Sequence, residues 1–206
     1  LGPAQTSGPL MFQGIVVTAG RVLNLKDRVL EIAPGRALIT RPCSSVAVNG
    51  VCLTGVRRRA GRLIFDLGQE TLEKTDLGRL KKGGLVNLET PLRLADGIDG
   101  HIVLGHVDAV GRIARRKRMG NSLILTIAID AGLAGLIVPK GSLAVEGVSL
   151  TINEVRSAGQ KIKFSVCLIP ETLRRTNLGA KRPGDPGNIE TDYIAKLFLN
   201  KRNFRT

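Results

Sequence analysis

The sequence predicts an all-β chain of two similar small barrels followed by a C-terminal α-helix. Three observations carry that prediction. The chain runs through nearly the same text twice: Cys43-Ser-Ser-Val-Ala-Val-Asn-Gly-Val-Cys-Leu-Thr54 returns as Lys140-Gly-Ser-Leu-Ala-Val-Glu-Gly-Val-Ser-Leu-Thr151, an offset of 97 (140 − 43). Short apolar stretches recur between Gly, Pro, Asn and Asp residues, and several alternate, as in Lys161-Ile-Lys-Phe-Ser-Val166, the period of a half-buried strand. The last segment, Tyr193–Lys201, sets Ile194, Leu197 and Phe198 at helical spacing.

The duplication is ordered. Glu70-Thr-Leu-Glu-Lys-Thr-Asp-Leu-Gly78 returns as Glu171-Thr-Leu-Arg-Arg-Thr-Asn-Leu-Gly179, and Asn87-Leu-Glu-Thr90 as Asn188-Ile-Glu-Thr191, both offset by 101. A fainter echo links Gly14–Val22 to Gly105–Ile113 at 91. Offsets of this size are too long for a solenoid and suit two small domains.

In chain order, residues 1–10 have linker composition and read as an extension ahead of a natural start at Met11. The first barrel is expected over 11–97, with strands at Gly14–Val17, Val46–Val48, Leu63–Leu67 and Val86–Leu88, a hairpin turn at Ala60-Gly61 and a helical turn at Glu70-Thr-Leu72. Pro91–Gly100 carries turn residues and marks the boundary. The second barrel, over 98–191, is expected to have strands at Ile102–Leu104, Leu123–Ile127, Leu143–Val145 and Lys163–Leu168. It adds a turn at Ala158-Gly159 and helical pieces near Ala131–Ile137 and Glu171. The helix of 192–206 follows barrels that are already complete, so its apolar stripe needs a partner, and self-association is the simplest one.

Composition narrows the function classes. No apolar run approaches the length of a membrane span, and no signal-like segment opens the chain. The three cysteines, without Cys-x-x-Cys spacing, fit a reducing, cytoplasmic setting and form neither a disulfide framework nor a metal motif. The net charge of +14 raises nucleic acid as a partner. The runs Arg57–Arg59 and Arg115–Arg118, however, fall at hairpin tips, and with no Trp and one Tyr the stacking platform of a single-strand binder is missing.

Five blocks in order carry a family resemblance: Met11-Phe-Gln-Gly-Ile15, Ala47–Thr54, Gly100-His-Ile-Val-Leu-Gly-His-Val-Asp108, Lys140–Thr151 and Ile169-Pro-Glu-Thr-Leu-Arg-Arg-Thr-Asn-Leu-Gly179. From Met11 to about Phe198 the chain resembles the riboflavin synthases of the duplicated-barrel (alpha chain) type. The resemblance implies two six-stranded antiparallel barrels and a C-terminal helix that builds a homotrimer. It also implies association with lumazine synthase and no metal or redox cofactor. The implied reaction is dismutation of two 6,7-dimethyl-8-ribityllumazine molecules, a four-carbon unit passing from one to the other, at a site between barrels of adjacent subunits. Two identical substrates held face to face need two related pockets, which gives the duplication a physical purpose.

Residue by residue, the resemblance assigns Gly14, Ile15, Val16, Cys52, Leu53, Thr54, Asp66, Leu67, Gly68, Gln69, Glu70 and Thr71 to substrate in the first barrel, with Ser45 as an active-site serine. In the second it assigns Gly105, His106, Val107, Lys140, Ser149, Leu150, Thr151, Ile169, Pro170, Glu171, Thr172, Leu173 and Arg174. Cys52 and Ser149 hold equivalent places in the repeat, and either could add to the substrate or hold the water that adds. His106 suits proton transfer near neutral pH. Asp192 could orient the nucleophile across an interface, or simply cap the helix that begins at Tyr193. His101 and His106, five apart in a strand, would point to opposite faces. Cys52 taken alone would pack as a small core hydrophobe. The chain departs from the family pattern at Gln13, Glu146 and Pro186, the last of which cannot donate a ladder hydrogen bond. The alternative to an enzyme is a relative that binds lumazine or flavin without turnover.

Overall fold

The computed structural model describes residues 11–35, 38 and 44–203; the expected extension of 1–10 and Cys43 lie outside the described residues. The first repeat supplies β1 (Thr18–Lys26), β2 (Val29–Ala33), β3 (Val46–Val48), β4 (Val51–Leu53), β5 (Arg57–Arg59), β6 (Arg62–Asp66), the helix α1 (Gln69–Lys74) and β7 (Leu85–Glu89). The second supplies β8 (Ala109–Met119), β9 (Ser122–Asp130), β10 (Ser142–Val145), β11 (Val148–Ala158), β12 (Lys161–Leu168), the helix α2 (Pro170–Arg175) and β13 (Pro186–Thr191). The helix α3 (Tyr193–Asn203) ends the described chain. The helical piece expected near Ala131–Ile137 is a 3-10 turn over Ala131–Leu136.

The second repeat closes as a six-stranded antiparallel barrel in the order β10-β11-β12-β9-β8-β13. The first departs from the expected six-stranded closure. It forms a seven-stranded sheet, β4-β3-β7-β1-β2-β6-β5. Its two end strands are consecutive in sequence, separated by Thr54, Gly55 and Val56, and together they correspond to the single long β11. Gly55, at φ +81, takes a conformation other residues avoid and turns the chain. Val56 then folds inward, fully buried, and donates its N–H to the Ser44 carbonyl at 3.2 Å. In the second repeat the matching positions carry only a bulge between Ile152 and Glu154. A second bulge recurs in both repeats, between Val22 and Asn24 in β1 and between Ile113 and Arg115 in β8. Duplication thus reaches into backbone defects as well as sequence.

Inward positions alternate as the strand period requires. Leu30, Ile32, Leu63, Phe65 and Leu88 fill one core; Leu125, Ile127, Phe164, Val166 and Ile189 fill the other. Phe65 and Phe164 are buried, and truncating either to Ala would cost about 3–5 kcal/mol. Two-residue hairpins at Asn49-Gly50, Ala60-Gly61 and Glu146-Gly147 have positive φ at both turn residues, the geometry whose twist matches the flanking strands. Pro186 is the first residue of β13, where a missing N–H costs no ladder bond, and the pairing it was expected to weaken is intact.

The barrels join around a pseudo-twofold axis. Phe12 and Val103, equivalent at offset 91, form an antiparallel bridge and pack with Ala47 and Ala144 in a small apolar cluster. The Asn87 side-chain oxygen accepts the Asn177 N–H, and the Asn188 oxygen accepts the Asp76 N–H, each at 2.7 Å. Their amide groups donate to the Glu146 and Asn49 carbonyls at 2.9 and 3.0 Å. Glu146 is fully buried in this join and lies outside the cleft described next.

Candidate active site

The segments expected as opening strands, Gly14–Val17 and Ile102–Leu104, are irregular, and they cross. The Gly14 carbonyl accepts the Ser149 N–H at 2.8 Å, and the Gly105 carbonyl accepts the Cys52 N–H at 3.0 Å. Val16 is buried in the core of the second barrel, and Val107 packs against that of the first. Each repeat therefore lends its first residues to the other barrel. The grouping expected from sequence, with Gly14, Ile15 and Val16 beside Cys52 and Gly105, His106 and Val107 beside Ser149, is exchanged. A Cβ on Gly14 would lie 2.7 Å from the Ser149 Cβ, and one on Gly105 would lie 2.5 Å from the Cys52 Cβ, so both approaches require glycine.

The first half-site is an open cleft of about 340 Å³ lined by Gly14, Ile15, Val16, Val148, Ser149, Ile169, Glu171, Thr172, Arg175 and Thr176. Its floor comes from β11 and its wall from α2, which begins with Pro170 at its first position, a placement proline favours. Glu171 is held by Arg174 and Arg175 on the same helix. Across the axis the repeat-equivalent contact is Gly105 on Cys52, with α1 as the counterpart of α2. There Glu70 pairs with Lys74 at 2.7 Å, and Gln69 with Glu73.

The polar chemistry of the two halves differs. Ser149 Oγ lies 2.7 Å from His101 Nδ1. Burial holds the His101 ring below the usual histidine range, with Asp192 pulling the other way, so the ring is neutral at neutral pH and able to take a proton. Its Nε2 is buried without a partner. The expectation placed proton transfer on His106. That residue is exposed, and its segment is not a strand, so the rule of opposite faces does not apply to it. Across the axis, Ser45 Oγ and Thr54 Oγ1 are 2.9 Å apart, beside Cys52. Burial pushes the Cys52 thiol up, against the pull of those two hydroxyls, so it is protonated at neutral pH.

Other expected residues fall in different places. Leu53, Leu67 and Leu150 are buried in the cores and Leu173 packs against one, so these four support the site from behind. Asp66 is exposed and pairs with Arg57, and Thr151 is exposed. Lys140 stands exposed in a turn at φ +66 and does not line the cleft. Asp192 Oδ1 accepts the Ile194 N–H at 2.9 Å, the capping role, while its charge also reaches His101. Sequence reasoning passed over His101 as the partner of Ser149, and also Asp108, whose Oδ2 accepts from Thr191 N–H and Oγ1–H and meets Lys196 at 2.8 Å. It also passed over Glu89 and Glu190, although the repeated Asn-x-Glu-Thr block signalled them. Among the described residues, no three His, Cys, Asp or Glu side chains gather as a metal site would require, and no helix is long and apolar enough to cross a membrane.

Comparison with known proteins gives this geometry its class. The profile of the lumazine binding domain matches twice, over residues 13–91 and 104–192. Riboflavin synthase of Mycobacterium tuberculosis is 39% identical over 195 residues, covering 90% of this chain and 95% of that protein. Riboflavin synthase of Escherichia coli is 36% identical over 189 residues, covering 88% and 87%. Among solved structures, LumP complexed with riboflavin matches with a TM-score of 0.77 and 25% identity over 87% of this chain and 98% of that one. LumP complexed with 6,7-dimethyl-8-(1'-D-ribityl) lumazine, at 22% identity and a TM-score of 0.73, shares the fold over the same shares of the two chains. The fold is that of tandem lumazine-binding domains. The chain belongs to the riboflavin synthase family.

Proposed function

We propose that this chain is a transferase that dismutates two 6,7-dimethyl-8-ribityllumazine molecules, giving riboflavin and 5-amino-6-(D-ribitylamino)uracil. The observation that carries the reading is the exchange of Gly14–Val16 and Gly105–Val107. It sets Gly14 on Ser149 and Gly105 on Cys52 as equivalent contacts with different polar groups beside them, which suits two copies of one substrate in different roles. In the first, neutral His101 accepts the proton of Ser149 Oγ–H, or through that hydroxyl a proton from the acidic C7 methyl of the donor molecule. In the second, Ser45, Cys52 and Thr54 hold the other ring, with the thiol acting as a hydrogen-bond donor.

The two half-sites meet in an assembly of three copies. The exposed stripe of Tyr193, Ile194, Leu197 and Phe198 on α3 supports self-association, and exposed Lys140 suits contact with a neighbouring copy's substrate. Partners follow the same reading: substrate, two further copies of this chain, and lumazine synthase as supplier. The free thiols Cys52 and Cys167 suit a reducing cytoplasm.

Anaerobic incubation with 6,7-dimethyl-8-ribityllumazine tests the reaction. Riboflavin and the aminouracil should each appear once per two lumazines consumed. Ligand bound without turnover would replace the reading with a lumazine-binding carrier, which the fold shared with LumP complexed with riboflavin would then explain.

A further inference from the structure

We propose that Glu89 and Glu190 are positioning residues, each fixing the crossing segment that builds a different half-site. This rests on the dismutase reading only for the meaning of the half-sites; the hydrogen bonds stand without it.

Glu89 is the last residue of β7, and its Oε1 accepts the N–H groups of Gln13 at 2.9 Å and Gly14 at 3.1 Å. Glu190, in β13, repeats the arrangement at offset 101, its two oxygens accepting the N–H groups of Leu104 at 2.7 Å and Gly105 at 3.0 Å. Both side chains are buried, at 4% and 3% exposure. The segments they hold have almost no ladder of their own, so their buried N–H groups need acceptors from elsewhere. Successive N–H groups of a chain passing through positive φ converge on a point, and a carboxylate is the strongest acceptor to place there.

The next bond in each chain reaches the chemistry. Glu89 fixes the Gly14 amide while the Gly14 carbonyl takes the Ser149 N–H; Glu190 fixes Gly105, whose carbonyl takes the Cys52 N–H. Glu190 is also near enough for its charge to raise the Cys52 thiol. The charged groups facing the pair are the two carboxyls themselves, with Asp108 and Lys196 beside Glu190.

The test uses the full chain with Glu89→Met, Glu89→Gln, Glu190→Met and Glu190→Gln, reading amide hydrogen exchange of residues 11–16 and 102–107 together with kcat and KM. Met matches the length without an oxygen; Gln keeps an acceptor. Each Met variant should speed exchange in its own segment by about tenfold or more and lower kcat by a similar factor, the scale of lost charge-assisted hydrogen bonds, with Gln recovering most of both. Unchanged exchange in a folded Met variant, or Gln as impaired as Met, would overturn the proposal. Should a Met variant not fold, the isosteric Gln must still speed exchange in its own segment more than in the other; equal effects on both segments overturn it. Exchange needs no turnover, so a wild-type chain without synthase activity would sink the dismutase reading and leave this test decisive.

Discussion

Lys181 Nζ stands 2.6 Å from Glu146 Oε2 in the join between the barrels, with Asp76 Oδ2 a further contact at 3.5 Å. The same place in the other half of the pseudo-symmetric join holds Asn49, Asn177 and Leu80, neutral residues at the repeat-equivalent positions. Glu146 also accepts the Asn188 N–H at 2.7 Å and the Asn177 side-chain N–H at 3.0 Å, so its carboxylate is fully engaged. Opposite the ion cluster, the neutral trio shows that the fold does not require charge here.

Removing one partner of a buried ion pair strands the other. Lys181→Met should therefore destabilise the chain by about 3–5 kcal/mol, read from denaturant unfolding. Converting the cluster to its neutral equivalent (Lys181→Leu with Glu146→Asn and Asp76→Asn) should recover most of that loss. A triple variant as unstable as Lys181→Met would show that the charges contribute in their own right.

Stability should fall as pH rises from about 4.5 to about 7. Burial pushes the carboxyls of Glu89 and Glu190 up to about 7, against the pull of their backbone donors, from an ordinary 4.5. The folded state thus binds more protons than the unfolded one between those values. Each group's contribution is complete below pH 4.5 and is lost by the time pH passes about 7. The loss amounts to roughly 3 kcal/mol per group at most, at about 1.4 kcal/mol for each tenfold change in proton affinity. His101 works in the opposite sense, its depressed folded value favouring the native state above the ordinary histidine range. Comparing variants isolates the carboxyls. Melting temperature measured from pH 5 to 8.5 should vary less steeply in Glu89→Gln and Glu190→Gln than in wild type, and parallel curves would reject the assignment.

The two histidines should separate cleanly in kinetics. His101→Ala removes the group bonded to Ser149 and should lower kcat by about 100-fold, the lower end for a lost acid–base group, while His106→Ala should stay within about tenfold of wild type. Cys52→Ser keeps a hydrogen-bond donor of similar shape where a neutral thiol already stands, so it should retain activity within about tenfold. Reaction of Cys52 with a thiol reagent at pH 8 should be slow for the same reason. Rapid labelling with loss of turnover would instead mark Cys52 as a nucleophile.

Local features of the fold were legible in the sequence because they are locally encoded. The hairpin expected at Ala60-Gly61 forms there, the one expected at Ala158-Gly159 turns one residue later at Gly159-Gln160, and the doubled Glu-Thr-Leu blocks mark α1 and α2. The crossing was not legible. Gly14-Ile-Val-Val17 reads as an opening strand, yet its bonds go to Ser149 and Glu89, long-range partners that periodicity does not encode. The break in the first barrel was hidden for a related reason: Gly55 stands where the second repeat has Ile152, and the duplication suggested continuity where one residue ends it. The opposite-face rule for His101 and His106 is a rule for strands, and their segment is not one. The four leucines assigned to substrate follow from motif neighbours, whose alternate positions necessarily face the core.

The helix α3 offers the sharpest check on assembly. Ile194, Leu197 and Phe198 are 47%, 48% and 69% exposed in the single chain, an apolar stripe at helical spacing on a helix that packs against the 3-10 turn at Ala131–Leu136. Leu197→Glu with Phe198→Glu places charge on that stripe without touching either barrel core or any residue of the cleft. In sedimentation the wild type should run as a trimer and the variant as a monomer. The monomer should keep its melting transition and still bind riboflavin, since each half-site is built within one chain, while turnover falls by about 100-fold or more for want of a facing partner. A monomer that turns over at the wild-type rate would mean that one chain brings both substrates together by itself.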